Sequence, residues 1–313
     1  MKEYIDTGKK DTRSGFGAGL AELGNSNPRV VALTADLKGS LKMDAFADEH
    51  PDRFFNVGIA EAHMVSMAAG LAIGGYIPFI GTFANFASAR VLDQIRQSVC
   101  YSQTNVKIAA SHAGITLGED GATHQTLEDL GLMRMLPGMV VINPCDYNQT
   151  KAATLAAAAW NGPVYLRFGR PGVPNFTPAG QSFEIGKAIK LNDGDEVTII
   201  ATGHLVWESI QAAKELERRG MGVDLLDMAT IKPLDREAVI SSARKTGRVV
   251  VAEEHLIAGG LGELVAGVLA TACPTPMRLV AINDRFGQSG KPAELMTAYG
   301  LDAARIVEAA LSF

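Results

Sequence analysis

The sequence predicts an α/β protein made of two consecutive α/β domains with mostly parallel sheets. Three observations carry that prediction. Short runs rich in Val and Ile are continuously apolar, the pattern of strands covered on both faces. Longer Ala-rich amphipathic stretches separate them, as crossover helices do in a parallel sheet. A Pro- and Gly-rich break, GRPGVPNFTPAGQ at 169–181, interrupts the series once. Before the break, strands are predicted at 30–34, 77–80, 106–110, 140–143 and 164–168, and helices at 15–24, 60–74, 86–101 and 147–160. After it, strands are predicted at 197–201, 223–227, 249–253 and 277–282. The helices of that second series fall at 206–219, 236–246, 260–271, 292–299 and 302–311. The boundary is placed near residue 180, so that 1–180 and 181–313 form the two domains.

Composition narrows the class of function. With 313 residues, 47% apolar and 20% charged, the chain can bury enough surface to offset chain entropy, so disorder is excluded as the dominant state. A net charge of −5 leaves no basic surplus for nucleic acid or anionic lipid. Cys100, Cys145 and Cys273 are odd in number and far apart, with no CxxC pair, which predicts a reducing compartment. No signal-peptide core and no apolar run of about 18 residues is present, so the expected location is cytoplasmic, away from membranes.

The densest polar constellation is Ser111-His112-Ala113-Gly114-Ile115 followed by Gly118-Glu119-Asp120-Gly121-Ala122-Thr123-His124-Gln125. It begins where the predicted strand 106–110 ends, and ligands in α/β sheets bind at the carboxyl ends of strands. Two histidines and two carboxylates among glycines can supply acid, base and hydroxyl-binding groups near neutral pH. A solvated Gly-rich loop explains any one of these residues; the cluster together reads as a site. No HxH, HExxH or Cys–His spacing supports zinc. In Asn56-Val-Gly-Ile-Ala-Glu61-Ala-His63, a carboxylate enters the first turn of an apolar, small-residue helix. It serves either the helix dipole or, if buried, a proton or a donor. Gly81-Thr-Phe83-Ala-Asn-Phe86 sets two aromatics past another strand end, as core or as a cofactor platform. Arg13, Arg167 and Arg170 are surface cations or phosphate ligands. GxGxxG after the first strand, GxxxxGK[ST] and GxSxG are all missing.

Taken together, IAEAH, TFANF, SHAGI and above all GEDGATHQ resemble the transketolase family. The similarity is closest to the C-terminal chain of a split, two-chain transketolase and covers essentially the whole sequence. It implies a pyrimidine-binding domain over 1–180 and a transketolase C-terminal domain over 181–313. It also implies thiamine diphosphate as cofactor, with a two-carbon ketol unit passed from a ketose phosphate to an aldose phosphate. By that resemblance Glu61 hydrogen-bonds the cofactor's pyrimidine, Phe86 stacks on it, Phe83 lines the same pocket and Asp36 lies near it. His112 and His124 are implied as catalytic histidines contacting the sugar and its phosphate, and Asp120 as recognising a substrate hydroxyl. Arg13, Ser40 and Arg170 match phosphate-binding positions; Arg170 is preferred to Arg167 because it stands four residues before Pro174.

The departures matter equally. The family's pyrophosphate-binding Gly-Asp-Gly…Asn motif does not occur. The resemblance therefore implies half an active site. The diphosphate and its Mg²⁺ or Ca²⁺ fall to an N-terminal partner subunit, in an expected α₂β₂ assembly. Rival readings are the β subunit of a 2-oxo-acid dehydrogenase, a deoxyxylulose-phosphate-synthase-like enzyme, and a catalytically idle scaffold.

Overall fold

The computed structural model describes residues 3–313. Its strands form two large sheets, matching the expected α/β class. The first sheet has seven strands in the order Thr230–Lys232, Val140–Ile142, Val164–Arg167, Lys107–Ser111, Ile77–Phe83, Val30–Thr34 and Phe54–Asn56. The second has five, in the order Met277–Ile282, Val249–Leu256, Val197–Ala201, Val223–Asp227 and Ile189–Asn192. Every pairing within these two sheets is parallel except those made by Thr230–Lys232 and Ile189–Asn192, which close one edge of each sheet antiparallel. The central strands Val30–Thr34, Lys107–Ser111 and Val197–Ala201 are buried at every position, as their unbroken apolar runs require.

Local chemistry sets where the helices start. Asp11 caps Thr12–Ser26 by accepting from Ser14 N at 2.9 Å. Asp146 caps Tyr147–Ala159 through Gln149 N at 2.9 Å, while its other oxygen takes the backbone N–H of Phe176 and of Thr177. The Pro-rich stretch is thereby tied to the first sheet's helical layer. Thr12–Ser26 and Tyr147–Ala159 pack so closely that a Cβ on Gly15 would meet the Tyr147 carbonyl oxygen at 2.3 Å. Only glycine permits that approach.

Two predictions differ from what forms. The predicted helix 86–101 is broken into a turn at Ala84–Ala87, a 3₁₀ turn at Ala89–Val91, one α-turn at Leu92–Gln94 and a π-helical stretch at Ile95–Tyr101. The break is at Ser88, buried and at φ −115°, ψ −81°, whose hydroxyl donates back to the Ala84 carbonyl at 2.7 Å. Phe54–Asn56, Ile189–Asn192 and Thr230–Lys232 are absent from the predicted strands, because three or four residues at a sheet edge carry too little periodicity. The two halves lie against each other. They share apolar packing: one core cluster runs from Leu33, Met64 and Ile108 to Leu226, Val251 and Leu261. Among the described residues no helix is long and apolar enough to cross a membrane.

Candidate active site

The chain places Phe54–Asn56 on one side of Val30–Thr34 and Ile77–Phe83 on the other, so strand order reverses at Val30–Thr34. The carboxyl edge at such a reversal is where open α/β sheets hold ligands. Register brings the strand ends level: Thr34 lies beside Asn56 and Gly81, Phe83 beside Ser111, and Ala110 beside Arg167. The segments singled out in sequence leave from these ends. Residues spread over more than 130 positions therefore meet along one edge.

Asp36 sits just past the first end at φ 63°, a left-handed conformation uncommon for a residue with a side chain. Asn56 holds it there. Its side-chain oxygen accepts from Asp36 N at 3.0 Å, and its amide donates to Asp36 Oδ1 at 3.1 Å. Glu61 opens the helix Glu61–Ile73 and is 5% exposed. One of its carboxylate oxygens accepts from Arg90 Nη1 at 2.8 Å. The same guanidinium lies 4.0 Å over the ring of Phe86.

From Phe86 the contacts continue without a gap. Phe83 stacks with Phe86 at 5.8 Å between centroids and with His112 at 3.9 Å, and His124 meets Phe86 edge-on at 5.6 Å. His112 also has positive φ, 59°, and its Nδ1 is 2.8 Å from Ser111 Oγ. Burial pushes the His112 pKa down to about 3, and the nearby charges of Arg13 and Arg170 push the same way. The ring is therefore neutral at physiological pH, with Nδ1 committed to Ser111. Arg13 donates to the Ser40 carbonyl at 2.9 Å; Arg170 donates to the Leu117 carbonyl and to Glu119, both at 2.7 Å. Ser40 enters this group through its backbone. The two guanidiniums beside the neutral imidazole each have a carboxylate partner, Asp11 at 3.4 Å from Arg13 and Glu119 at 2.7 Å from Arg170, and an anion arriving here would compete with those carboxylates.

Not every expected residue joins. Asp120 is exposed at the tip of its loop and makes no side-chain hydrogen bond among the described residues. Arg167 is used inside the fold: it pairs with Asp129 at 2.9 Å and donates to the Glu254 carbonyl at 3.0 Å, nearly fully buried. Sequence reasoning missed three contributors. Arg90 follows the aromatic pair and offered only its charge as a signal. Asn85 donates to the Thr123 carbonyl at 2.8 Å, tying the aromatic segment to the histidine loop. Glu254, from the second half, accepts from Thr116 N at 2.7 Å and lies 3.3 Å from His204 Nδ1. The second half also reaches the loop at Gln288, whose carbonyl accepts from Gln125 at 3.0 Å. Among the described residues no group of three His, Cys, Asp or Glu side chains converges as a metal site.

Comparison with known proteins decides what this edge belongs to. Residues 8–175 match the transketolase pyrimidine-binding domain and residues 186–306 the transketolase C-terminal domain. The chain belongs to the transketolase family. Its relatives within that family include separate subunits. It is 44% identical over 291 residues to the 6-deoxy-6-sulfo-D-fructose transketolase subunit SqwH of Clostridium sp. strain MSTE9, covering 93% of this chain and 90% of that one. It is 39% identical over 302 residues to an apulose-4-phosphate transketolase subunit of Phocaeicola vulgatus, covering 96% of each. A solved split-gene transketolase, described as an inactive β₄ tetramer, superposes with a TM-score of 0.91 at 48% identity, over 96% of this chain and 97% of that one. Human transketolase is 38% identical over 99% of this chain, yet the chain spans only 50% of it. Transketolase sequence is thus matched here by one half of the single-chain enzyme.

Proposed function

We propose that this chain is the pyrimidine-side subunit of a two-chain, thiamine-diphosphate-dependent transketolase that moves a two-carbon ketol unit from a ketose phosphate to an aldose phosphate. The observation that carries the reading is the buried Glu61 carboxylate beside the stacked Phe86–Phe83–His112 surface, in a chain matching half of a single-chain transketolase. The residues fit the cofactor's ring. A planar, nitrogen-rich guanidinium already lies 4.0 Å over Phe86 while donating to Glu61, and an aminopyrimidine is likewise flat and nitrogen-rich, able to pair with the carboxyl once a proton is shared between its ring nitrogen and Glu61. Thiamine diphosphate supplies the electron sink for breaking and remaking the carbon–carbon bond.

The chain's own residues do the rest. Glu61 holds a proton at the pyrimidine N1′, and its burial keeps that hydrogen bond out of water, where it is stronger. Phe86 stacks on the ring and Phe83 lines the pocket. Asp36, clamped by Asn56, borders it. Neutral His112 can donate to a sugar oxygen or accept from a hydroxyl without carrying charge, and His124 faces the same space from Phe86. Arg13, Ser40 and Arg170 hold the phosphate end, and Asp120 reads a hydroxyl from the loop tip. The diphosphate and its Mg²⁺ or Ca²⁺ are assigned to an N-terminal partner subunit in an α₂β₂ assembly. Exposed Ile59, two residues before Glu61, gives such a partner apolar surface near the carboxylate, and exposed Ile73 offers more at the far end of the same helix. The domain boundary is placed near residue 180 and the location in the cytoplasm. The named substrates of the two split relatives, a sulfofructose and an apulose phosphate, mark the range to screen beside pentose phosphates.

The test is reconstitution with the partner subunit and thiamine diphosphate, assayed for ketol transfer between sugar phosphates. Glu61→Ala is expected to abolish turnover with the melting temperature and assembly kept. Near-normal turnover in that variant removes Glu61 from the chemistry. Decarboxylation of a 2-oxo acid in place of ketol transfer overturns the reaction assignment.

A further inference from the structure

Arg90 lies where the proposed function puts the cofactor's ring. Its guanidinium is 4.0 Å over Phe86 and 2.8 Å from Glu61 Oε1, so it holds both the stacking face and the carboxylate. We propose that Arg90 is a placeholder for the aminopyrimidine, occupying Phe86 and pairing with Glu61 until the ring displaces it. The inference rests on the cofactor reading above and adds a residue that sets how readily the site is loaded.

Three features make Arg90 suited to this part. Among the described residues it is the one hydrogen-bond donor to the Glu61 side chain. Without a donor in that place Glu61 would be a buried carboxylate left unpaired, which is costly or forces protonation. The two partners are unequally exposed: the Arg90 side chain is 49% exposed and that of Glu61 6%. The arginine can therefore swing into water and keep its hydration while the carboxylate stays in place. Finally, Arg90 stands just past the break at Ser88. A regular helix over 86–101 would by itself set residues 86 and 90 one above the other with the longer side chain leaning back over Phe86; here the contact is made across the break. The Ser88–Ala84 hydrogen bond and the 3₁₀ turn Ala89–Val91 fold that segment back, so that Arg90 covers Phe86 and reaches the start of the neighbouring helix.

Ring and guanidinium then compete for one place. Loading must break a charge-assisted hydrogen bond and a cation–π contact, and because N1′ of the neutral ring is an acceptor, one proton from solvent is taken up between it and the Glu61 carboxylate as the arginine leaves.

The experiment uses the assembled two-chain complex stripped of cofactor, with thiamine diphosphate as the probe. Association and dissociation rates are read by stopped-flow spectroscopy and the Kd by calorimetry, for the wild type, Arg90→Ala and Arg90→Lys. Arg90→Ala is expected to raise the association rate and lower the Kd by about tenfold, with the dissociation rate unchanged. Arg90→Lys keeps the charge and loses the planar stack, so it gives a smaller rise and keeps the test alive if the alanine variant does not assemble. An association rate that stays the same or falls in the variants, with binding intact, overturns the placeholder. Absence of thiamine diphosphate binding in the wild type and the variants alike overturns the cofactor reading, and this inference with it.

Discussion

Glu254→Ala tests whether the second half of the chain positions the loop that carries His112. Glu254 lies on the strand Val249–Leu256 with its side chain 3% exposed. Its carboxylate accepts from Thr116 N at 2.7 Å and lies 3.3 Å from His204 Nδ1, and these neighbours hold its pKa below the ordinary carboxylate range despite burial. The loop is built around this side chain: a Cβ on Gly114, itself at φ 82°, would fall 2.2 Å from Glu254 Oε1. Truncation leaves the Thr116 N–H buried without an acceptor, a cost of about 1–3 kcal/mol. Taking about 2 kcal/mol as the local loss, the loop opens about 30-fold more often. Hydrogen exchange read by mass spectrometry on a peptide spanning 111–118 is expected to accelerate by that factor, while the strand Val197–Ala201 stays protected. Glu254→Gln keeps an acceptor for Thr116 and loses only the negative charge facing His204, so its acceleration is smaller. Wild-type exchange at 111–118 in the alanine variant would refute the claim that Glu254 holds the loop.

Two further predictions concern titration. Asp227 is fully buried and its pKa is raised from 3.8 to about 7, chiefly by desolvation. A carboxyl raised on folding contributes its full stability below the unfolded pKa and loses it as pH climbs through the folded value, so the chain should lose stability between about pH 4 and 7. Asp227→Asn is expected to flatten that fall, by on the order of 4 kcal/mol at pH 8. Urea midpoints for the two proteins that stay parallel from pH 5 to pH 8 would contradict it. For His112, whose pKa is lowered to about 3, the ring proton shifts in NMR should not titrate between pH 5 and 8 in the free chain. A phosphate ester bound near Arg13 and Arg170 places an anion beside the ring and should raise that pKa; an unchanged shift on saturation with a sugar phosphate argues against the phosphate position.

Much of this molecule was legible in the chain. Buried parallel strands need continuous apolar runs, so Val30–Thr34 and Val197–Ala201 stood out without any partner being known. Because each strand end exposes backbone where a ligand can approach, the segments that follow the predicted strand ends at 80 and 110 pointed to a candidate site before their register was visible. Motif order then carried the family. What the sequence could not show is whatever depends on two distant segments meeting. Phe54–Asn56 and Thr230–Lys232 exist as strands only because a neighbour offers its edge. Ser88 breaks a helix whose composition favours continuing it, and Arg90, just past that break, meets Glu61, 29 residues away in sequence. Glu254 bears on the His112 loop from 138 residues beyond Thr116, across apolar packing shared by both halves. Composition and periodicity are local properties of the chain and determined the class, the strand ends and the residues that gather there. Hydrogen bonds and ion pairs between remote side chains are set by packing, so the tertiary structure alone decided which charges face one another and which are spent inside the fold.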